Sequence, residues 1–182
     1  MFSQNGDGKN PLWSVRESTL AQSSPRCGKK TPPRRPNIWH VTSLPRNILA
    51  DTGPIFALLH AKDADHARAL TFAREFTGQL ITSWPVLAEA GYLLAQSNRH
   101  GGDLLLSMVL DGHLLVADLD HVDIEYMKRL MAKYDGMDLA DASLVAVGER
   151  LGLLDIITID RHDFSRYRTR GRKQFINHFP EK

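Results

Sequence analysis

The chain contains one cysteine, Cys27, in 182 residues, which excludes both an internal disulfide and a zinc site built from cysteines. No apolar run approaches the ~18–20 residues needed to span a membrane, and the first residues lack the continuous apolar stretch of a secretory signal. The expected location is therefore the cytoplasm, with no membrane contact. Gly-rich phosphate loops of the P-loop and dinucleotide-binding kinds are missing. The eight histidines have no metal-ligand spacing between them, and none is assigned a catalytic part. A receiver-like phosphoacceptor domain would need a lysine near the end of a late strand, where this chain has Asp160.

What is present is a globular composition, 42% hydrophobic and 24% charged, enough at this length for one domain with a sizeable core. Charge is unevenly divided. Residues 1–47 hold eight Lys/Arg and two Asp/Glu, a balance of +6; residues 48–182 hold fifteen and nineteen, a balance of −4, and together they give the overall +2. Residues 1–46 are rich in Gly, Pro, Ser, Asn, Lys and Arg around Thr31-Pro32-Pro33-Arg34-Arg35-Pro36 and lack apolar periodicity. They read as a disordered basic extension, able to meet RNA phosphates but more simply a solvated tail. The segment from Val41 or Leu44 also looks like a natural protein start, which would leave most of the extension out of the native chain. One domain, 47–182, follows.

From residue 47 the chain alternates. Short apolar runs at Asn47 to Asp51, Leu80 to Thr82, His113 to Leu119, Leu154 to Ile159 and Phe175 to Phe179 read as strands. Helices are expected over Gly53–Leu59, Asp63–Phe76 with Asp63 as cap, Ser83 (the cap) to about Ser97, Asp103–Leu110 after a Gly101-Gly102 break, Val122–Lys133 and Leu139–Leu151. Gly152 should end the last of these, and Arg161–Phe164 begins a turn or short helix. This alternation predicts an α/β fold, a sandwich around a mostly parallel sheet.

Four acids interrupt or end segments that otherwise read as core. Asp51 closes Ile48-Leu49-Ala50, and Glu89 lies within Trp84-Pro85-Val86-Leu87-Ala88-Glu89-Ala90-Gly91-Tyr92. Asp141 lies within Leu139-Ala140-Asp141-Ala142-Ser143, and Asp160 closes Ile156-Ile157-Thr158-Ile159. An unpaired buried carboxylate costs several kcal/mol or takes up a proton, so four along one chain call for a shared partner, most simply a divalent cation. Asp51 and Asp160 fall at carboxyl ends of strands, the edge where open α/β sheets bind ligands. Mg²⁺ prefers carboxylate and water oxygens beside substrate phosphates, and can lower the pKa of a water for attack on a phosphodiester. Local explanations stand beside this one: Asp51 can cap the next helix, Asp160 can open a turn, and Asp138 competes with Asp141 as helix cap. Thr158 can orient a carboxylate or water, or be a satisfied core hydroxyl. Carboxylates more than ~10 Å apart could not share an ion, because each metal–oxygen bond reaches only ~2 Å.

In order and spacing, Ile48-Leu49-Ala50-Asp51-Thr52-Gly53-Pro54, Glu89, Leu139-Ala140-Asp141-Ala142-Ser143 and Thr158-Ile159-Asp160-Arg161-His162-Asp163-Phe164 resemble the PIN-domain family. The match covers roughly residues 46–180 and is narrower still to the VapC-type toxins of bacterial toxin–antitoxin pairs. The resemblance implies a small three-layer α/β/α fold and an Mg²⁺- or Mn²⁺-dependent endoribonuclease. It also implies homodimers and inhibition by a small antitoxin that occupies the site. Asp51, Glu89, Asp141 and Asp160 match the family's acidic quartet as catalytic and metal-binding residues. Asp51 and Asp141 are the foremost direct ligands, and Asp138 supports them.

Between Arg161 and Lys173 six cations (Arg161, Arg166, Arg168, Arg170, Arg172 and Lys173) face one acid, Asp163. The segment could bind RNA backbone or an antitoxin's acidic tail, and Tyr167 and Phe175 could offer rings for an unstacked base. Trp84 reads as a core or interface aromatic. The competing function is a non-catalytic PIN-like module that acts through protein or RNA contacts.

Overall fold

A computed structural model describes residues 47–97 and 100–181; the basic extension 1–46 lies outside them. Ile48, Leu49 and Ala50 have no exposed surface, which places β1 (Asn47–Ala50) in the middle of the sheet. The chain continues through α1 (Thr52–Leu59), α2 (His66–Glu75), β2 (Gln79–Ser83), α3 (Trp84–Ser97), α4 (Gly101–Leu110) and β3 (Leu114–Ala117). It returns through α5 (His121–Lys133), α6 (Leu139–Leu151), β4 (Asp155–Ile157), α7 (Arg161–Arg166) and β5 (Ile176–Asn177).

The five strands lie in the order β3-β2-β1-β4-β5, and every pairing is parallel. Parallel strands need crossovers, and the helices that make them cover both faces. From β1 the chain steps outward to β2 and β3 through α1–α4. Then α5 and α6 carry it back past β1 to β4. With right-handed crossovers, reversing the direction of travel puts the return helices on the opposite face. The expected three-layer α/β/α sandwich results. Helix α6 is buried at every position from Ala142 to Gly148, as an apolar helix in a domain interior should be. It ends at Gly152, whose φ of 68° is left-handed, the position glycine favours.

Element ends moved where side chains compete for backbone groups. Helix α2 starts at His66, not Asp63, because Asp63 Oδ1 accepts the Asp65 N–H at 2.8 Å and fixes a turn there. Strand β4 stops at Ile157, not Ile159. The amide of Asn177 takes over the next ladder position, accepting from the Thr158 N–H at 3.2 Å and donating to Thr158 O at 2.9 Å. Asp160 therefore stands three residues beyond the strand. Gly101 and Gly102 lie inside the first turn of α4, and Ser83 ends β2 with its hydroxyl on Ser143 at 2.5 Å. No helix among the described residues is long and apolar enough to cross a membrane.

Candidate functional site

The chain leaves β1 toward one edge of the sheet and leaves β4 toward the other. The crevice beyond the carboxyl ends of β1 and β4 is thus the topological switch point, where open α/β sheets bind ligands. Asp51 follows β1 directly, its N–H still in the ladder, donating to Ile157 O at 3.1 Å. It also caps α1: Oδ1 accepts the Thr52 N–H at 2.7 Å. The other oxygen, Oδ2, accepts from the Thr158 hydroxyl at 2.7 Å, and Thr158 Oγ1 in turn accepts the Asp160 N–H at 2.9 Å. Thr52 reaches the other way, its hydroxyl donating to Glu89 Oε2 on α3 at 2.7 Å. Two threonines thus tie Glu89, Asp51 and Asp160 into one network.

Asp141 enters from the first turn of α6. Its N–H is held by Asp138 Oδ1 at 2.9 Å, which makes Asp138 the cap of that helix. Its Oδ2 accepts from the Tyr167 hydroxyl at 2.9 Å. Asp160 caps α7 through the Asp163 N–H at 3.0 Å. The capping reading holds for Asp51, Asp138 and Asp160 alike, each of which caps a helix.

The acids also feel one another's charge. Burial raises the Asp51 pKa to about 6; the Thr158 hydroxyl and Thr52 N–H oppose this, while Glu89 and Asp138 add to it. Burial likewise raises Asp141 to about 7, with Asp51, Asp138 and Asp160 adding repulsion and Tyr167 opposing it. Each of the four sequence-selected acids is therefore joined to the others by a hydrogen-bond link or a felt charge. Burial also pushes the Tyr167 phenol up, and the adjacent Asp141 carboxylate adds to that.

Among the described residues no three His, Cys, Asp or Glu side chains are placed to hold one ion together. The donor chemistry nonetheless suits a hard cation: the cluster is all carboxylate and hydroxyl oxygen, and carboxylate oxygens keep further lone pairs beyond the bonds above. Mg²⁺ needs only one or two direct carboxylates and retains waters. On that test the donor chemistry fits such an ion, and Asp51 and Asp141 are the residues that would hold it directly.

Sequence reasoning left Thr52 without a role and gave Tyr167 the wrong one. Tyr167 and Phe175 are 1% and 5% exposed, so neither offers a face to a base. Tyr167 is edge-on to Tyr134 and Phe164 and positions Asp141; Phe175 packs on Phe164. Trp84, by contrast, is 55% exposed and is no core residue. The basic segment also divides. Arg161 is engaged by Phe179 O and Glu181, and Arg166 by Asp163, whereas Arg168, Arg170 and Arg172 line a cleft with Arg129 and Lys133 of α5.

A parallel sheet with acids gathered at its switch point defines the class, and the PIN domain family matches residues 48–169. The chain belongs to the PIN-domain family and, within it, to the VapC type. Ribonuclease VapC26 of Mycobacterium tuberculosis (strain ATCC 25618 / H37Rv) is 30% identical over 133 residues, covering 70% of this chain and 97% of VapC26. The crystal structure of Mycobacterium tuberculosis VapC20, a sarcin–ricin loop cleaving toxin, is similar with a TM-score of 0.57 at 24% identity, over 63% of this chain and 91% of that one. At that identity the likeness bears on the fold.

Proposed function

We propose that the protein is an Mg²⁺-dependent endoribonuclease that acts as the toxin of a toxin–antitoxin pair, with Mn²⁺ as a substitute ion. One observation carries the reading: buried Asp51 and partly buried Asp141 are each pushed up by burial and by the charge of neighbouring acids, Asp51 acting on Asp141 among them, an arrangement a dication relieves. The ribonuclease name of the VapC26 relative supports the choice of RNA. When bound, Mg²⁺ supplies Lewis acidity at the phosphate and a more acidic attacking water. The chain's own residues hold that centre in place. The Thr158 hydroxyl fixes Asp51 Oδ2, the Tyr167 hydroxyl fixes Asp141 Oδ2, and the Thr52 hydroxyl fixes Glu89 Oε2, so three carboxylates reach the substrate already oriented. A homodimer and a small antitoxin that covers the acids belong to the same reading. Trp84, Tyr92 and Leu110, all more than half exposed, are apolar surface for such a partner to cover.

The test is RNA cleavage by the purified protein with Mg²⁺ or Mn²⁺. Chelation should abolish cutting, and Asp51→Asn or Asp141→Asn should slow it about 100-fold or more, the scale of losing a centre of charge stabilisation. Unchanged cutting in either variant would sink the mechanism. The alternative, a non-catalytic module, draws on the absence of a ready-made three-ligand site among the described residues. Calorimetric titration separates the two, since a silent module need not bind a dication at micromolar to millimolar levels.

A further inference from the structure

The proposed reaction raises a problem of its own. Without its dication a cluster of carboxylates repels the polyanion it is meant to cut, and cations elsewhere on the surface would help to hold the strand. Among the described residues, a cleft of about 520 Å³ opens between α5 and the segment after α7, and no Asp or Glu lines it. Arg129 and Lys133 come from α5, one turn apart; Arg168, Arg170 and Arg172 come from the loop opposite; Tyr126 forms part of the wall.

The loop is a built structure. Arg168 pairs with Gln174 in an antiparallel bridge. Between them the Thr169 N–H donates to Lys173 O at 3.1 Å, the Arg172 N–H donates to Thr169 O at 2.9 Å, and Thr169 Oγ1 accepts the Lys173 N–H at 3.1 Å. Arg172 turns the chain with a φ of 59°. The Arg170 guanidinium stacks over the Tyr126 ring at 4.3 Å from its centre, and Arg168 is held by Ser165 O and Tyr167 O. Glu149 reaches this loop from α6, but its Oε2 takes the Arg170 backbone N–H at 2.8 Å and leaves the guanidinium unpaired. None of the five cations forms an ion pair with a carboxylate among the described residues, in contrast to Arg150 with Asp123, Arg161 with Glu181 and Arg166 with Asp163. Guanidinium forks fixed in advance lose little freedom on taking a phosphate. One link of the chain joins the cleft to the acids: Arg168, which lines it, directly follows Tyr167, whose hydroxyl is on Asp141.

We infer that this cleft is a phosphodiester-binding site that anchors the backbone of a single-stranded RNA beside the acid cluster, without reading its sequence. The inference rests on the ribonuclease reading for the identity of the strand. Its chemistry is that of arginine and lysine on phosphate oxygens.

Binding is best measured in chelator, so that nothing is cut, by fluorescence anisotropy of a labelled 12-nucleotide single-stranded RNA titrated with the full chain. The variant is Arg129→Gln with Arg172→Gly; glycine adopts the left-handed turn without strain, so the loop is kept. The expected result is about tenfold or greater loss of affinity at ~0.1 M salt. The plot of log Kd against log salt should flatten by roughly 0.7 for each phosphate contact removed. Lys62→Gln with Arg74→Gln, which takes the same charge from the exposed surface around α2, should bind like the parent. Equal losses in both variants, or no loss in the first, would overturn the site. Binding of an oligo-glutamate peptide as tight as that of RNA at the same salt would also overturn it, in favour of a protein partner. Intact RNA binding that is lost in the cleft variant, in a protein that never cuts with Mg²⁺ or Mn²⁺, would sink the ribonuclease reading and leave the cleft standing. Cutting that persists with unchanged RNA affinity in the cleft variant would do the reverse.

Discussion

Asp51 shows how one side chain answers to two demands. As a cap it satisfies the Thr52 N–H; as a buried acid at the switch point it is a source of instability. Its pKa is about 6 in the folded protein against 3.8 ordinarily, with burial the main cause. Below pH ~4 both folded and unfolded chains hold the proton, and nothing is lost. As pH rises the unfolded chain releases its proton first, so stability falls until the folded carboxyl has also ionised above pH ~6, a loss on the order of 3 kcal/mol by linkage. Asp51→Asn removes the charge while keeping an oxygen for the Thr52 N–H and an amide that can donate to Thr158. In chelator at pH 8 this variant should melt several degrees above the parent, and the gap should close as pH is lowered toward 4. A variant less stable than the parent at pH 8 would show that the charge is already compensated inside the fold. The acids themselves were legible in the sequence because each broke an apolar run. Thr52 and Tyr167 were not, since the partner of each hydroxyl lies 37 or 26 residues away and no local pattern marks such a pair.

Helix α6 is the element that most restricts the site, since it carries Asp141 in its first turn and packs its middle into the interior. Gly148 sits where it meets the sheet. A Cβ there would lie 2.9 Å from Leu153 O, 3.0 Å from Leu49 Cδ1 and 3.0 Å from Phe175 Cε1. Glycine to alanine inside a helix ordinarily stabilises by roughly 0.5–1 kcal/mol. Here a backbone carbonyl is the closest neighbour and cannot swing aside, so overpacking at about 1–3 kcal/mol wins. Gly148→Ala should therefore lower the melting temperature by ~2–12 °C; an unchanged or higher value would mean that α6 can shift off the sheet. Among the described residues the five strands and first six helices were expected from apolar runs and turn residues, while α7 was read only as a turn or short helix. Their ends were less legible. Asp63 and Asn177 set the starts and stops of α2 and β4 with side-chain bonds to backbone, and periodicity carries no trace of such bonds. The basic cleft was half visible for a similar reason. The arginines after Asp160 form an obvious run, but Arg129 and Lys133 on α5 look like ordinary solvated positions until the fold brings them across from that run.

At the scale of the fold charge is separated: Asp51 and its acidic partners stand where β1 and β4 diverge, and guanidinium groups line a cleft without carboxylates. The overall +2 conceals this. Folding holds the carboxylates together against their repulsion, whereas the unfolded chain disperses them, so a dication that uses them binds the native state far better than the unfolded one. Stability should then rise by RT ln(1 + [M]/Kd), about 1.4 kcal/mol at tenfold excess over Kd, or ~3–6 °C in melting temperature for a chain of this length. The ligands must be ionised to bind, and burial holds Asp51 and Asp141 protonated up to about pH 6 and 7. The increment from Mg²⁺ or Mn²⁺ should accordingly be small near pH 5.5 and full at pH 8. Sodium chloride at matched ionic strength should give no such increment, and Asp51→Asn with Asp141→Asn should lose it at every pH. Thermal melts across this grid separate a specific ion site from general screening. A shift that sodium reproduces, or that the double variant retains, would mean the carboxylates are relieved by screening alone and that the switch point holds no dication.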